Sequence, residues 1–115
     1  MFGSCDVDHM LEGFTDDVVA RFGDRPEMHG ILDVEAFLRA RFNRQRSYRL
    51  TKQLRMLAGN MIGNVWDAEW EDALSGKMMR GHGVEFWTMR DRKIAVWEAA
   101  FNVWEKGAPP PSPFM

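Results

Sequence analysis

The chain has 115 residues, 45% of them hydrophobic, and a formal net charge of −2. This length is enough for one domain with a single core but not for two. The near-neutral charge excludes the broad basic surface of a nucleic-acid-binding protein, and the one basic run, Arg39 to Arg49, is interpreted as the solvated face of an amphipathic helix.

The first part of the chain predicts two helices with a strand between them. Residues 6–14 begin with an Asp cap and carry apolar residues at helical spacing, which indicates a short amphipathic helix. Residues 17–22 predict a strand that ends at Gly23, and Pro26 imposes a loop. A second helix is expected from about Asp33. Its apolar stripe is Val34, Phe37, Leu38 and Phe42, with Arg39, Arg41 and Arg44 on the other side.

Residues 49–105 predict four consecutive long antiparallel strands. Each is rich in Val, Ile, Phe, Trp and Met, and Gly-Asn, Ser-Gly-Lys and Arg-Asp-Arg-Lys turns separate them. The last segment, 93–104, also fits a helical stripe, and propensity does not decide between the two. We favour a strand because residues 90–93 form a tight turn. Gly81-His82-Gly83 predicts a bulge or bend in the third strand.

The end of the chain, GAPPPSPFM, cannot form a helix or a sheet and predicts an extended tail over residues 107–115. Residues 1–106 are then a single domain. The lone Cys5 excludes an internal disulfide. We expect neither a signal peptide nor a membrane span, and we expect a cytoplasmic protein.

Three segments carry a family resemblance. FTDDVVARFGDRP is similar to a first strand and its loop, Phe37-Leu38 falls in a middle helix, and WTMRDRKIAVWEAAFN is similar to a closing pair of strands. In this order they resemble the nuclear transport factor 2-like superfamily and its SnoaL-like members. In the turn of the closing pair, Arg92 replaces the usual Gly. The resemblance implies an α+β cone, in which a strongly curved antiparallel sheet wraps around helices.

A closer resemblance is to an uncharacterised SnoaL-like subgroup. The matching motifs are YRLTKQL from Tyr48, Gly59-Asn60, Glu69-Trp70-x-Asp72, Gly83-x-Glu85-x-Trp87 and an Ala-Ala-Phe-Asn ending at Asn102. There are two departures. The family's long opening helix is shortened or missing, which implies a more open pocket or one that a partner subunit covers. The subgroup's Glu is Gln53 here.

Alternation assigns side chains to the faces of the sheet. On the second long strand the apolar row is Ile62, Asn64, Trp66, Ala68 and Trp70, which we expect to line the concave side. On the third strand both rows are mixed, and the resemblance places Glu85 and Trp87 inside. By the same logic Thr51, Gln53, Arg55 and Leu57 point inward from the first strand.

Glu85 is the leading catalytic candidate. A carboxylate among Trp66, Trp70 and Trp87 would lose hydration and could then act as a general acid or base. Gln53 and Arg55 could instead hold it ionised and orient a substrate carbonyl or carboxylate. The alternative is a buried Glu85–Arg55 ion pair that only closes the cone.

Asp17 is the second catalytic candidate, because the superfamily often has an acidic residue where its first strand begins. Helix-ending and turn chemistry explain the Asp16-Asp17 pair more simply than catalysis does. Asn64 and Asn102 are candidate ligand-binding residues, and Asn102 stands near a position that is often acidic in cyclase-like members. His9, His29 and His82 lack the spacing of a metal site, so no metal or cofactor is predicted.

Two functions remain open. The first is a pocket for a small apolar or aromatic molecule, as in a cofactor-free lyase, isomerase or hydrolase. The second is a dimeric interaction module that uses the cone mouth or the outer sheet face, because members of the superfamily also dimerise through that face. The surplus of tryptophans fits either function. A homodimer is expected, without nucleic acid or membrane as a partner.

Overall fold

The computed structural model describes residues 6–23 and 25–108. Within them the element order is α1 (Val7–Leu11), β1 (Phe14–Phe22), β2 (Met28–His29), α2 (Ile31–Arg44), β3 (Gln45–Ala58), β4 (Met61–Asp72), β5 (Met78–Arg90) and β6 (Lys93–Glu105). Cys5 and residues 109–115 of the predicted tail lie outside the described residues, and the boundary after residue 106 stays a prediction.

All six strands form one sheet in the order β2-β1-β6-β5-β4-β3. β3 to β6 are a continuous antiparallel meander, which confirms the four predicted long strands and the choice of a strand for residues 93–104. β1 runs parallel to β6 and antiparallel to the two-residue β2, which the sequence did not predict. Among the described residues no helix is long and apolar enough to span a bilayer.

The helices cover one half of the concave face and bury most of the core there. Asp6 caps α1 as predicted, by accepting a hydrogen bond from the His9 backbone N–H. The buried core residues of this half are Val7, Met10, Phe14, Val18, Ala20, Phe22, Val34, Leu38, Ile94 and Trp97. A second buried cluster, Trp66, Ala68 and Trp70, lies on β4. The predicted apolar row of β4 is therefore the buried one.

Of the bulge or bend predicted at Gly81-His82-Gly83, the bulge is wrong. Pairing with β4 and with β6 continues without a shift through these residues. The glycines instead make room for indole rings. A Cβ on Gly83 would lie 2.8 Å from Trp66 and 2.6 Å from the Phe101 Cβ, and one on Gly81 would lie 3.2 Å from Trp66 and Trp70.

The turn between β5 and β6 has an unusual backbone. Arg90 pairs with Lys93 across it, and the two residues between them, Asp91 and Arg92, have φ of 53° and 65°. Two consecutive positive φ values are typical of the type I′ hairpin turn, for which the second position favours glycine. Arg92 therefore takes the left-handed conformation that the family's usual Gly would adopt without strain.

Candidate functional site

A buried carboxylate lies at the centre of the concave face. Glu85 on β5 is 2% exposed, and it accepts hydrogen bonds from side chains on the three other strands of the meander. Asn64 Nδ2 on β4 donates to Oε2 at 3.2 Å, Trp97 Nε1 on β6 donates to Oε1 at 3.1 Å, and Lys52 Nζ on β3 donates to Oε2. Buried carboxylates persist only with such donors. We call these four residues the Glu85 cluster.

Lys52 is the cation of the Glu85 cluster. Its side chain is 20% exposed, and Nζ lies 4.7 Å from the centre of the Trp87 ring, a cation–π distance. Burial lowers the pKa of Lys52, and the nearby Glu85 carboxylate counteracts part of that effect. The ammonium is therefore held between an anion and an aromatic face in a partly dehydrated position.

The prediction that Thr51, Gln53 and Arg55 point into the cone is wrong, because the alternate residues of β3 face inward instead. Gln53 pairs with Val65 and Thr51 with Asp67, both in the outer row of β4, and all three side chains are exposed. The register then shifts between Leu54 and Met56, at Arg55. The inner row is Tyr48, Leu50 and Lys52, so Lys52 takes the position that was predicted for Arg55 as the partner of Glu85.

Of the remaining predicted residues, the structure brings Asn64, Trp66 and Trp87 close to Glu85 or Lys52. Trp66 lines the cavity beside Glu85 and packs against Phe101, with the ring centres 5.6 Å apart. Trp70 lies two residues further along the same row, beside Tyr48, with ring centres 6.0 Å apart.

Asp17 and Asn102 do not reach this site. The Asp17 side chain is exposed and pairs with Arg90, whose hydrogen bond lowers the pKa of Asp17. Asn102 is exposed and pairs with His82 on the outer face. The prediction that Asn102 lies inside the cone is wrong because its row of β6 alternates with Phe101 and Val103, which point inward.

Two adjoining spaces open on the concave face. The first is a cavity of about 20 Å³ beside Glu85, lined also by Lys52, Trp66 and Trp97, which is room for about one water molecule. The second is a cleft of about 610 Å³ at the cone mouth, between α2, the C-terminal end of β4 and the N-terminal end of β5. Arg41 and Phe101 line both spaces.

The cleft has aromatic walls and a basic rim. Its lining residues are Arg25, Phe37, Ala40, Arg41, Arg44, Gln45, Trp70, Asp72, Ser75, Lys77, Met79, Phe101 and Val103. Arg44 is paired with Asp72, Nε to Oδ1 at 3.0 Å. The described residues contain no group of three or more His, Cys, Asp or Glu side chains placed to hold a metal ion.

Arg41 does not belong to a solvated helix face, contrary to the prediction. Its guanidinium lies 5.9 Å from the centre of the Phe37 ring and 5.6 Å from that of Phe101, inside the cone. Burial lowers the pKa of Arg41. The sequence did contain a signal, because residue 41 follows Phe37 by four and Leu38 by three and so continues the apolar stripe.

This curved sheet, wrapped around a helix and a buried polar cluster, is the fold of the nuclear transport factor 2-like cone proteins. The chain belongs to the family described as "Protein of unknown function (DUF1348)", which matches residues 1–103. The predicted fold class, the nuclear transport factor 2-like cone, is confirmed by solved structures of that fold. Among curated protein sequences there is no significant match to this chain.

Several solved structures have the same fold. TerC, crystallised with polyporic acid, superposes with a TM-score of 0.75 at 22% identity, over 88% of this chain and 82% of TerC. SalBIII, an epoxide hydrolase/cyclase-like enzyme of pyran ring formation in salinomycin, has a TM-score of 0.75 at 16% identity, covering 87% and 84%. A protein from Jannaschia sp. CCS1 described as a SnoaL-like polyketide cyclase gives 0.74 at 17%, covering 83% and 71%. At these identities the likeness shows the fold alone.

Proposed function

We propose that the protein binds a small, largely apolar or aromatic molecule in the cleft at the cone mouth. The observation that carries this proposal is that the cleft adjoins the cavity at Glu85, because Arg41 and Phe101 line both spaces. The cleft, at about 610 Å³, falls within the range of roughly 300–1,000 Å³ that ligand pockets occupy. The cavity at Glu85 is far smaller and admits only a water or the tip of a ligand.

The walls of the cleft fit an aromatic occupant. Phe37 on α2, Trp70 on β4 and Phe101 on β6 face it from three sides. Flat rings of this kind bind aromatic molecules by offset or edge-on stacking, which adds to the gain from apolar burial. Polyporic acid in TerC and pyran ring formation by SalBIII concern those proteins. For this chain the reason to propose an aromatic ligand is the aromatic walls of the cleft.

Binding is tested with the neutral fluorescent probe N-phenyl-1-naphthylamine. Wild type should raise its fluorescence with one site per chain. Ala40→Trp, which fills the cleft from α2, should abolish the signal. Leu32→Trp is the matched control, because Leu32 lies on the same helix, is 76% exposed and does not line the cleft. Equal binding by wild type and Ala40→Trp would contradict the proposal.

We also propose that the Glu85 cluster supplies proton transfer, as a cofactor-free lyase, isomerase or hydrolase requires. Glu85 can accept a proton, and Lys52, with its lowered pKa, can return one. The water-sized cavity beside this pair shares Arg41 and Phe101 with the cleft.

A generic base-catalysed reaction tests this second step. In 5-nitrobenzisoxazole a base removes the C3 proton while the N–O bond breaks, giving a cyanophenolate that absorbs visible light. Wild type should open the ring faster than Glu85→Gln, and Asp17→Asn should match wild type, because Asp17 lies outside the cone. Equal rates for wild type and Glu85→Gln would remove the catalytic part and leave the binding part standing.

The alternative function, a homodimer formed through the outer face, is favoured by one observation. Val84 and Phe86 on β5 are 45% and 38% exposed, and Phe86 meets Met56 above Gly63, which forms an apolar patch on the convex side. Light scattering during gel filtration should give twice the chain mass for wild type and a monomer for Phe86→Lys. A monomeric wild type would contradict the homodimer.

A further inference from the structure

Arg41 is the unusual residue of the cleft. It sits on the third turn of α2, on the same side as Leu38, and its guanidinium is stacked between the Phe37 and Phe101 rings. The two arginines nearest to it on the helix are paired: Arg39 with Asp8 and Glu35, and Arg44 with Asp72. Over residues 6–23 and 25–108, no carboxylate forms an ion pair with Arg41.

An unpaired guanidinium in a dehydrated position is costly to keep. Its contacts with the two rings offset part of this cost. Among the described carboxylates Glu85 acts on Arg41 through its charge, but it forms no ion pair with the guanidinium, so no described carboxylate accepts from its N–H donors. Burial lowers the pKa of Arg41, which agrees with its dehydrated position. An apolar side chain at this helix position would avoid the desolvation cost of a charge. The presence of a guanidinium here therefore points to a ligand that pairs with it.

Most of the charged residues around Arg41 in the cleft are also cations. The Arg25 guanidinium lies 5.2 Å from the centre of the Phe37 ring. Lys77 also lines the cleft and lies 3.8 Å from the Glu105 carboxylate. Asp72 is the single carboxylate among the residues that line the cleft, and Arg44 already neutralises it. The cleft therefore carries a surplus of positive charge next to its aromatic walls.

We infer that the cleft takes an aromatic or apolar molecule with an oxyanion, such as a carboxylate, and that Arg41 receives that anion with Arg25 as the outer cation. This inference rests on the proposed binding function and names the class of its ligand. The anionic end lies at Arg41, at the junction of the two spaces, and the ring lies against Trp70 and Phe101. A planar guanidinium suits this role because it donates two parallel hydrogen bonds to one carboxylate.

The test uses two probes with the same aromatic body: 8-anilinonaphthalene-1-sulfonate, which is anionic, and N-phenyl-1-naphthylamine, which is neutral. The variants are Arg41→Met, which keeps the apolar stem, and Arg41→Lys, which keeps the charge. Arg46→Met is the control, because Arg46 is an exposed arginine of β3 that does not line the cleft. Folding of each variant is checked by its thermal unfolding.

We expect Arg41→Met to lower the affinity for the anionic probe about tenfold or more, because a charge-assisted hydrogen bond is lost. Its affinity for the neutral probe should stay within about twofold of wild type. Arg41→Lys should restore part of the affinity, and Arg46→Met should change neither probe. Equal weakening of both probes would assign Arg41 a packing role and overturn the inference alone. Failure of wild type to bind either probe would overturn the proposed function as well.

Discussion

Lys52 on β3 and Glu85 on β5 form an ion pair across β4, the strand between them. Asn64 on β4 donates a hydrogen bond to the same Glu85 oxygen. The pair faces the inside of the cone, with Trp87 under the ammonium. Two opposite charges are thus held where an apolar core would otherwise continue.

Removing one member of this pair should destabilise the protein strongly. Lys52→Met leaves the Glu85 carboxylate buried without its cation, and we expect it to lower the free energy of unfolding by about 3–5 kcal/mol. The double variant Lys52→Met with Glu85→Gln should lose less than the sum of the two single changes, because no unpaired charge remains. Urea unfolding measures all three, and additive losses would contradict a direct interaction.

Gly83 should tolerate no side chain, because it lies under an indole ring. A Cβ there would be 2.8 Å from both the Ala100 carbonyl oxygen and Trp66. We expect Gly83→Ala to cost about 1–3 kcal/mol of unfolding free energy. Gly81→Ala is the matched control, with ring atoms at 3.2 Å, and should cost less. The prediction fails if denaturant midpoints show Gly81→Ala to be the more damaging change.

Arg92→Gly should stabilise the protein. Arg92 has a φ of 65° in the turn between β5 and β6, a conformation that costs an L-residue roughly 1–2 kcal/mol, whereas glycine adopts it freely. After the entropy that glycine loses on folding, we expect a gain of about 0.5–1 kcal/mol. Lys93→Gly, one residue later and within β6, should have the opposite sign. A lower melting temperature for Arg92→Gly than for wild type would show that the positive φ of Arg92 does not strain the turn.

Asp72 should make stability depend on pH in the acid range. Its hydrogen bonds from Arg44 and Ser75 lower the pKa of Asp72 from 3.8 to about 2. A carboxylate with a lowered folded-state pKa stabilises the protein above its unfolded-state value, near 3.8, and this contribution is lost as the pH falls towards about 2. Asp72→Asn should therefore be less stable than wild type at neutral pH, with a gap in urea midpoint that narrows below about pH 4. A constant gap would contradict the assigned cause.

The sequence predicted the parts of the fold that are buried on one face. On β4 the indoles of Trp66 and Trp70 alternate with charged residues, so the phase of that strand is unambiguous, and α2 is defined by Val34 and Leu38. β3 is different because it is an edge strand with exposed side chains on both faces. On β3 each of the two alternating rows contains polar residues. Alternation therefore gave no reason to place the row of Lys52, rather than the row of Gln53, inside the cone.

The sequence predicted the anion of the candidate site, Glu85, but not its cations, Lys52 and Arg41. The resemblance placed Glu85 inside the cone, whereas Arg41 was assigned to the solvated side of α2 and Lys52 was given no role. Long cationic side chains reach either face from one backbone position, so composition does not place them. The better signal was positional: Arg41 continues the stripe of Phe37 and Leu38, and Lys52 continues the row of Tyr48 and Leu50.

The central claim is that a small aromatic molecule binds inside the cone, at the cleft between α2 and the sheet. Its most direct test is a titration of the indole N–H signals in ¹H–¹⁵N spectra with 1-naphthol, with the Trp70 signal assigned from Trp70→Phe. We expect a saturable shift of Trp70 and little change of Trp104, which lies in the outer row of β6 with Asn102. A shift of Trp104 with Trp70 unmoved, or no shift at all, would contradict it.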